Sequence, residues 1–547
     1  MALAMAILPT PAFADILVVN VEGMTLDVQG NVDHFNALLI GNDGRIVQIF
    51  HRGDKRPGKV DFQYDGKGRV LMPGLIDAHA HVMEVGLGAL TLDLSMAKSL
   101  AEAQGRIAAF AAAHPDRPWI LGRGWNQEQW GLGRMPTAAE LDAAVKDRPV
   151  WLMRVDGHAG WANSRALAAG GVTGASKDPD GGRIERLPGV PAGRPAGVLV
   201  DSATALVERH VPPPRPEDRD HAFALAQQEL LSHGVTAVAD MGTTIEDWQT
   251  YRRAGDNGTL TVRIMAYAAG TDAMSLIGGP GPSPWLYDDR LRLNGVKLYA
   301  DGALGSRGAA LKAPYADDPG NKGLFVTQET QLRNLMSRGA MDNFQVAVHA
   351  IGDAANAAVL NAIDELSQTY KGDRRWRIEH AQIVDPADIP RFGKLGVIAS
   401  MQPIHQTSDR TMAEARLGPA RLAGAYAWKS IAASGARLAF GSDAPVERAD
   451  PFAGMAAAIT RQGADGQPFG GWQPQERLTR EEALAAYTTG AAYAGFAEGR
   501  LGRLAPGQRA DFLLIDRDPM LATPSELRET KVQEVWVNGR VAWKAGQ

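Results

Sequence analysis

The chain of 547 residues has no cysteine. Disulfides and thiolate metal sites are both excluded, so any metal must be held by imidazole and carboxylate groups. Excess charge is scarce too. Lys and Arg number 57 against 62 Asp and Glu, a net charge of -5 with no basic run, which argues against a nucleic-acid surface. No apolar run is long enough to span a bilayer. Coiled-coil heptads and internal repeats are missing. What remains, 45% hydrophobic and 22% charged, is the composition of an ordinary globular protein. Its length suits one large barrel or several smaller domains.

The first residues, "MALAMAILPTPAFAD", are apolar and end in the small-x-small pattern Ala12-Phe13-Ala14 before Asp15. They lack a positively charged start, yet they predict a signal peptide over residues 1–14 and a periplasmic or secreted protein, with the cytoplasm as the alternative. From Asp15 the pattern is β: "ILVVNV", then a hairpin turning at Asn42-Asp43-Gly44. The C-terminus answers with "ADFLLID" and a hairpin turning at Asn538-Gly539. Neither end can bury a core alone, so residues 15–72 and 496–547 are expected to form one small β-sandwich.

Between them, short apolar runs alternate with helical patterns, the sign of βα units. The runs are Gly74–His81, Gly234–Met241, Val262–Ala268, Gly295–Gly302, Phe344–Asp353, Trp376–Val384, Val397–Pro403 and Arg437–Pro445. Eight of them predict a (β/α)8 TIM barrel over residues 73–495, with chemistry at the C-terminal strand ends. Residues 92–215 are too many for one crossover helix and predict an α/β subdomain inserted between barrel strands 1 and 2.

Polar residues fall at those ends in a fixed order. The first strand closes with "HAH", His79 and His81, which share a face because side chains alternate along a strand. Lys297 lies inside the fourth run, His349 ends the fifth, His380 the sixth, and Asp443 the eighth. Singly, each has a plain explanation: a hydrogen-bonded core histidine, a surface lysine, or a helix-capping aspartate. Together they point to a metal site, because polar groups inside a barrel cost several kcal/mol unless something satisfies them.

The phrases "MPGLIDAHAH", "VKLYADGALGSRGAAL", "VHAIGDAAN", "IEHAQ", "SMQPIH" and "FGSDAPV" resemble the metal-dependent amidohydrolase superfamily. Within it they are similar to the amidohydrolase family 3 branch, which includes N-substituted formamide deformylase-like proteins. The resemblance runs over nearly the whole chain, including "GRGWNQEQW" and "GRLAPGQRADFLLID". It implies that His79, His81 and Asp443 bind a buried metal, that His349 and His380 bind a second, and that Lys297 is carboxylated by CO2 and bridges the two. Nitrogen and oxygen donors suit two Zn2+ best, with iron, manganese or cobalt as alternatives and a single ion beside an unmodified lysine as another.

The expected chemistry is hydrolysis of a carbon–nitrogen bond in a non-peptide or cyclic amide by a metal-bound hydroxide, with Asp443 as proton shuttle. The same site could serve an ester, lactone or phosphoester. From a different class, the chain could be an exported metal- or solute-binding protein without turnover. A small molecule is the expected partner, with no nucleic acid or membrane span, and relatives suggest a homodimer. Trp125, Arg154, His158, Arg307 and His405 are further candidates for substrate contact. Trp125, Trp130 and Trp161 would form either an aromatic wall over the pocket or the core of the insertion.

Overall fold

A computed structural model describes residues 15–189 and 193–546. The leader expected to be a signal peptide lies outside the described residues. At the centre, eight parallel strands form the barrel: β1 (Leu75–Ala80), β2 (Val235–Thr243), β3 (Arg263–Ala269), β4 (Leu291–Tyr299), β5 (Gln345–Ala350), β6 (Arg377–His380), β7 (Ile398–Met401) and β8 (Leu438–Phe440). They hydrogen-bond in chain order from β1 to β8. The ring is drawn shut beyond β8, where Ala80 bridges Ala444 and the Asp443 amide donates to the His79 carbonyl at 2.7 Å. Each strand overlaps one of the eight apolar runs. Both faces of these strands are buried, one against the helices and one inside the barrel, so they read as continuous apolar stretches without alternation.

The strands from both termini join in one seven-stranded ladder. The strands expected to associate from the two ends of the chain do so in this one sheet, and share a core that includes Val18, Phe35, Leu38, Phe512 and Trp536. Bonding is maintained through register shifts at Val19/Gly23 and Val19/Val21, where bulges bend the strand. A buried pair ties this sheet to the barrel. Arg263, at the start of β3, donates from Nε and Nη2 to the two carboxylate oxygens of Asp511 at 2.5 and 2.8 Å.

Between β1 and β2 a six-stranded mixed sheet is inserted. In spatial order its strands are Gly182–Arg186, Pro195–Asp201, Ala159–Ala162, Val150–Arg154, Ile120–Trp125 and Leu92–Asp93. Its own apolar core contains Ile107, Trp125, Leu141, Leu152 and Trp161. Leu121, Arg123, Trp151 and Met153 of this sheet line the cavity above the barrel mouth.

Candidate active site

The side chains named from the sequence gather where the barrel strands end. His79 is fully buried near the end of β1. Its Nδ1 lies 2.7 Å from Glu379 Oε2, and its Nε2 lies 3.4 Å from Asp443 Oδ1 and 3.3 Å from Lys297 Nζ. His81 Nε2 reaches the same Asp443 oxygen at 3.1 Å. The His380 ring centroid is 4.8 Å from that of His79 and 4.6 Å from that of His349. All six residues therefore meet at one mouth.

Local backbone explains how. Asp77 accepts hydrogen bonds from the amides of His79 and Ser442, both at 3.0 Å, and so clamps the end of β1 to the turn after β8. A Cβ on Gly441 would come within 2.5 Å of the His79 amide nitrogen, so only glycine permits this approach. His380 and Asp443 both adopt left-handed backbone, with φ of 74° and 59°. Such strain persists only where the surroundings fix it, and it often marks a functional position. At His380 it releases the side chain from strand alternation: Glu379 points into the barrel while His380 stays at the rim.

Beneath the mouth, polar side chains pair with one another inside the barrel. Arg377 donates to Glu379 Oε1 at 2.8 Å, to the Ala78 carbonyl at 2.7 Å and to the Tyr267 hydroxyl at 2.9 Å. His380 Nδ1 sits 2.9 Å from Gln402 Oε1. On the other side of His349, Asp301 accepts the amides of Ala310, Ile351 and Gly352, holding the ends of β4 and β5 together.

The electrostatics separate neutral donors from one anion. Burial, then Lys297, lowers the His79 pKa to about 4 against the pull of Asp443 and Glu379. Burial and neighbouring cations also hold His349 and His380 well below the usual imidazole range. Burial pushes Lys297 down to about 8 despite Glu379 and Asp443. Burial opposes the Asp443 carboxylate as well, but His79, His81 and His380 outweigh it and keep it well below the usual carboxylate range. Burial disfavours the charged form of His81 too, but its hydrogen bond to Asp443 and the nearby Glu84 outweigh it and raise its pKa. The neutral His79, His349 and His380 beside a carboxylate are in the protonation states that a divalent cation requires.

Two trios have ligand atoms within 4.8 Å of one another: His79, His81 and Asp443, and His380, His405 and Asp443. His405 Nε2 is buried without a hydrogen-bond partner, 3.7 Å from Asp443 Oδ2. An orphaned acceptor facing a carboxylate fits a cation between them. The residues present thus suit a metal.

Above lies a cavity of about 890 Å³. His158 and Arg154 line it; His158 is held by Asp201 at 2.7 Å and Arg154 by Asp156 at 2.5 Å. Trp125, in contrast, is buried in the core of the insertion, its Nε1 donating to the Leu152 carbonyl at 2.8 Å. Trp130 and Trp161 pack there with it, at ring separations of about 6 Å from Trp161 to each. Trp151 and Tyr299 line the cavity instead. Arg307 lies apart from the cavity lining and is engaged by Asp317 at 2.9 Å. Its position one loop past the lysine strand suggested otherwise, but the chain turns away at its left-handed residue, φ 56°. Glu379, Tyr299 and Arg123 went unnoticed in the sequence. Glu379 had a signal in "IEH", a carboxylate inside an apolar run.

A parallel eight-stranded barrel with imidazole, lysine and carboxylate groups at its C-terminal mouth defines a class of metal-dependent hydrolases. The chain belongs to the amidohydrolase family, whose model matches residues 64–542. It is 35% identical over 528 residues to Protein LONG AFTER FAR-RED 3 of Arabidopsis thaliana, covering 93% of this chain and 88% of that one. With the N-substituted formamide deformylase of Arthrobacter pascens it shares 26% identity over 547 residues, 96% of this chain and 97% of the other. A solved metal-dependent hydrolase from Pyrococcus horikoshii OT3 superposes with a TM-score of 0.74 at 27% identity, covering 93% of this chain and 99% of that one.

Proposed function

We propose that the protein hydrolyses a carbon–nitrogen bond in a small non-peptide or cyclic amide, using two divalent cations, by donor type zinc. His79, His81 and Asp443 would hold one ion, and His349 and His380 the other. Lys297, as a carbamate, would join them: beside cations an ammonium is repelled, whereas a carbamate offers anionic oxygens. His405, with its orphaned nitrogen, would add a donor next to His380. The observation that carries this reading is the meeting of four imidazoles, one lysine and one carboxylate around a single point. The amide preference is supported by the likeness to a formamide deformylase along nearly the full chain.

When bound, such cations polarise a carbonyl oxygen and bring the pKa of water toward neutrality. Asp443 is anionic at the mouth, so it accepts a proton from the attacking water and returns it to the departing nitrogen. Glu379 keeps His79 in one tautomer. The inserted sheet, whose Leu121, Arg123, Trp151 and Met153 line the cavity, would shield a bound substrate from bulk water. Export rests on the leader alone, and N-terminal sequencing of the secreted protein should begin at Asp15.

Metal analysis of the purified protein should find close to two ions per chain. Hydrolysis should then be measured on N-acyl amino acids, N-benzylformamide, cyclic ureas and aryl esters. Amide cleavage is the expected result. Cleavage of esters alone would reassign the bond, and a fully metallated but inert protein would favour a binding role.

A further inference from the structure

Arg123 lies on the inserted strand Ile120–Trp125 and lines the cavity over the barrel mouth. Its neighbours within the sheet are apolar: Leu121 on the same strand, and Trp151 and Met153 on the adjacent one, where Arg123 pairs with Met153 in register. The other cavity-lining cations are engaged. Arg154 is held by Asp156, and Lys297 stands against His79. Among the described residues Arg123 has no hydrogen-bond or ion-pair partner for its guanidinium. Burial lowers its pKa, while Glu84, Asp93 and Asp443 act on it only from a distance. Glu84 also lines the cavity and is exposed, and among the described residues it makes no hydrogen bond or ion pair with Arg123.

A partly desolvated guanidinium among apolar side chains is costly unless an anion meets it. Arg is also the side chain best shaped for a carboxylate, which it grips with two parallel N–H bonds. We propose that Arg123 receives a carboxylate of the substrate, so that the amide cleaved at the barrel mouth belongs to a molecule with an acidic group and an apolar portion. Leu121, Trp151 and Met153 bind that apolar portion. N-acylated amino acids with apolar side chains have this chemistry. The proposal rests on the hydrolase reading above, but its test needs no turnover.

The probes are 3-phenylpropionate and its uncharged counterpart 3-phenylpropan-1-ol, neither of which the enzyme can hydrolyse. Calorimetric titration into the zinc-loaded protein should show the carboxylate binding about tenfold or more tighter than the alcohol, the range for a charge-assisted contact. In Arg123→Gln, with zinc content and circular dichroism unchanged, the two should bind within about twofold of each other. Arg123→Lys, which keeps the charge without the fork, should restore part of the preference and serves if Arg123→Gln folds poorly. Equal binding of both probes to the wild type overturns the proposal. So does a preference that survives in Arg123→Gln, because the anion would then be held by zinc. If no panel amide is cleaved while the Arg123-dependent preference persists, the proposed reaction falls and the carboxylate site stands.

Discussion

His79 and Glu379 are joined by a 2.7 Å hydrogen bond between Nδ1 and the carboxylate, and both side chains are fully buried. Glu379 is itself fixed by Arg377 at 2.8 Å. An ionised carboxylate can only accept, so His79 carries its proton on Nδ1 and presents the Nε2 lone pair to the barrel mouth. Such outer partners set the tautomer of metal-bound imidazoles and are typically worth 10–100-fold in metal affinity. Glu379→Gln should weaken zinc retention by about that factor. Competition with a graded chelator measures this; an unchanged affinity would remove the tautomer argument.

Asp443 touches both His79 and His81 and carries the proton in the proposed reaction. Asp443→Ala should lower kcat by at least about a hundredfold, the lower end for loss of a general acid–base group. Circular dichroism should be little changed, because the Asp443 amide, which the substitution keeps, still bonds to the His79 carbonyl of β1. A variant that keeps most of its activity would transfer the proton role elsewhere.

The barrel was legible because each strand is an apolar run with polar residues only at its end or facing the interior. The start of β4 was not: Arg292 and Asn294 break the run, although Asn294 is buried and bonds to the Tyr267 hydroxyl and to Gln345 at 2.8 Å. A polar residue bonded across the barrel looks the same in sequence as one in a loop. Of the two readings of Trp125, wall or core of the insertion, the structure has the core. Gly124, with φ 87°, shifts the register between Arg123 and Trp125, so that Arg123 faces the cavity and Trp125 the core. Glu379 was hidden by the adjacent His380, whose left-handed backbone lets neighbours of opposite facing serve one site. Position in the chain gathered the six residues at the mouth; the interior partners that orient them required coordinates.

Metal removal should cost stability as well as activity. The imidazoles of His79, His349 and His380, held neutral, and the anionic Asp443 face each other across the mouth. A ligand that binds only the folded state stabilises it by RT ln(1 + [L]/Kd), about 2.7 kcal/mol at a hundredfold excess over Kd. Chelation should therefore lower the unfolding temperature, and stoichiometric zinc should restore both temperature and turnover. Differential scanning calorimetry of the two forms checks this. Identical traces would mean that the clusters do not bind the ion.

The Arg263–Asp511 pair offers a control remote from the chemistry. Arg263 is fully buried at the start of β3, the end of the barrel opposite the mouth, and donates to the Asp288 and Asp289 carbonyls at 2.8 and 2.9 Å as well as to Asp511. Asp511 in turn accepts the Asn538 amide at 2.8 Å, so one carboxylate links the barrel to the terminal sheet. Removing it strands a buried guanidinium, a change that typically costs about 3–5 kcal/mol. Asp511→Ala should therefore unfold at markedly lower denaturant concentration, while kcat under native conditions stays within about twofold of wild type. Arg263→Met with Asp511→Leu should recover much of the loss, because apolar replacement of both partners leaves no orphaned charge. A fall in kcat without a fall in stability would show instead that the base of the barrel communicates with its mouth.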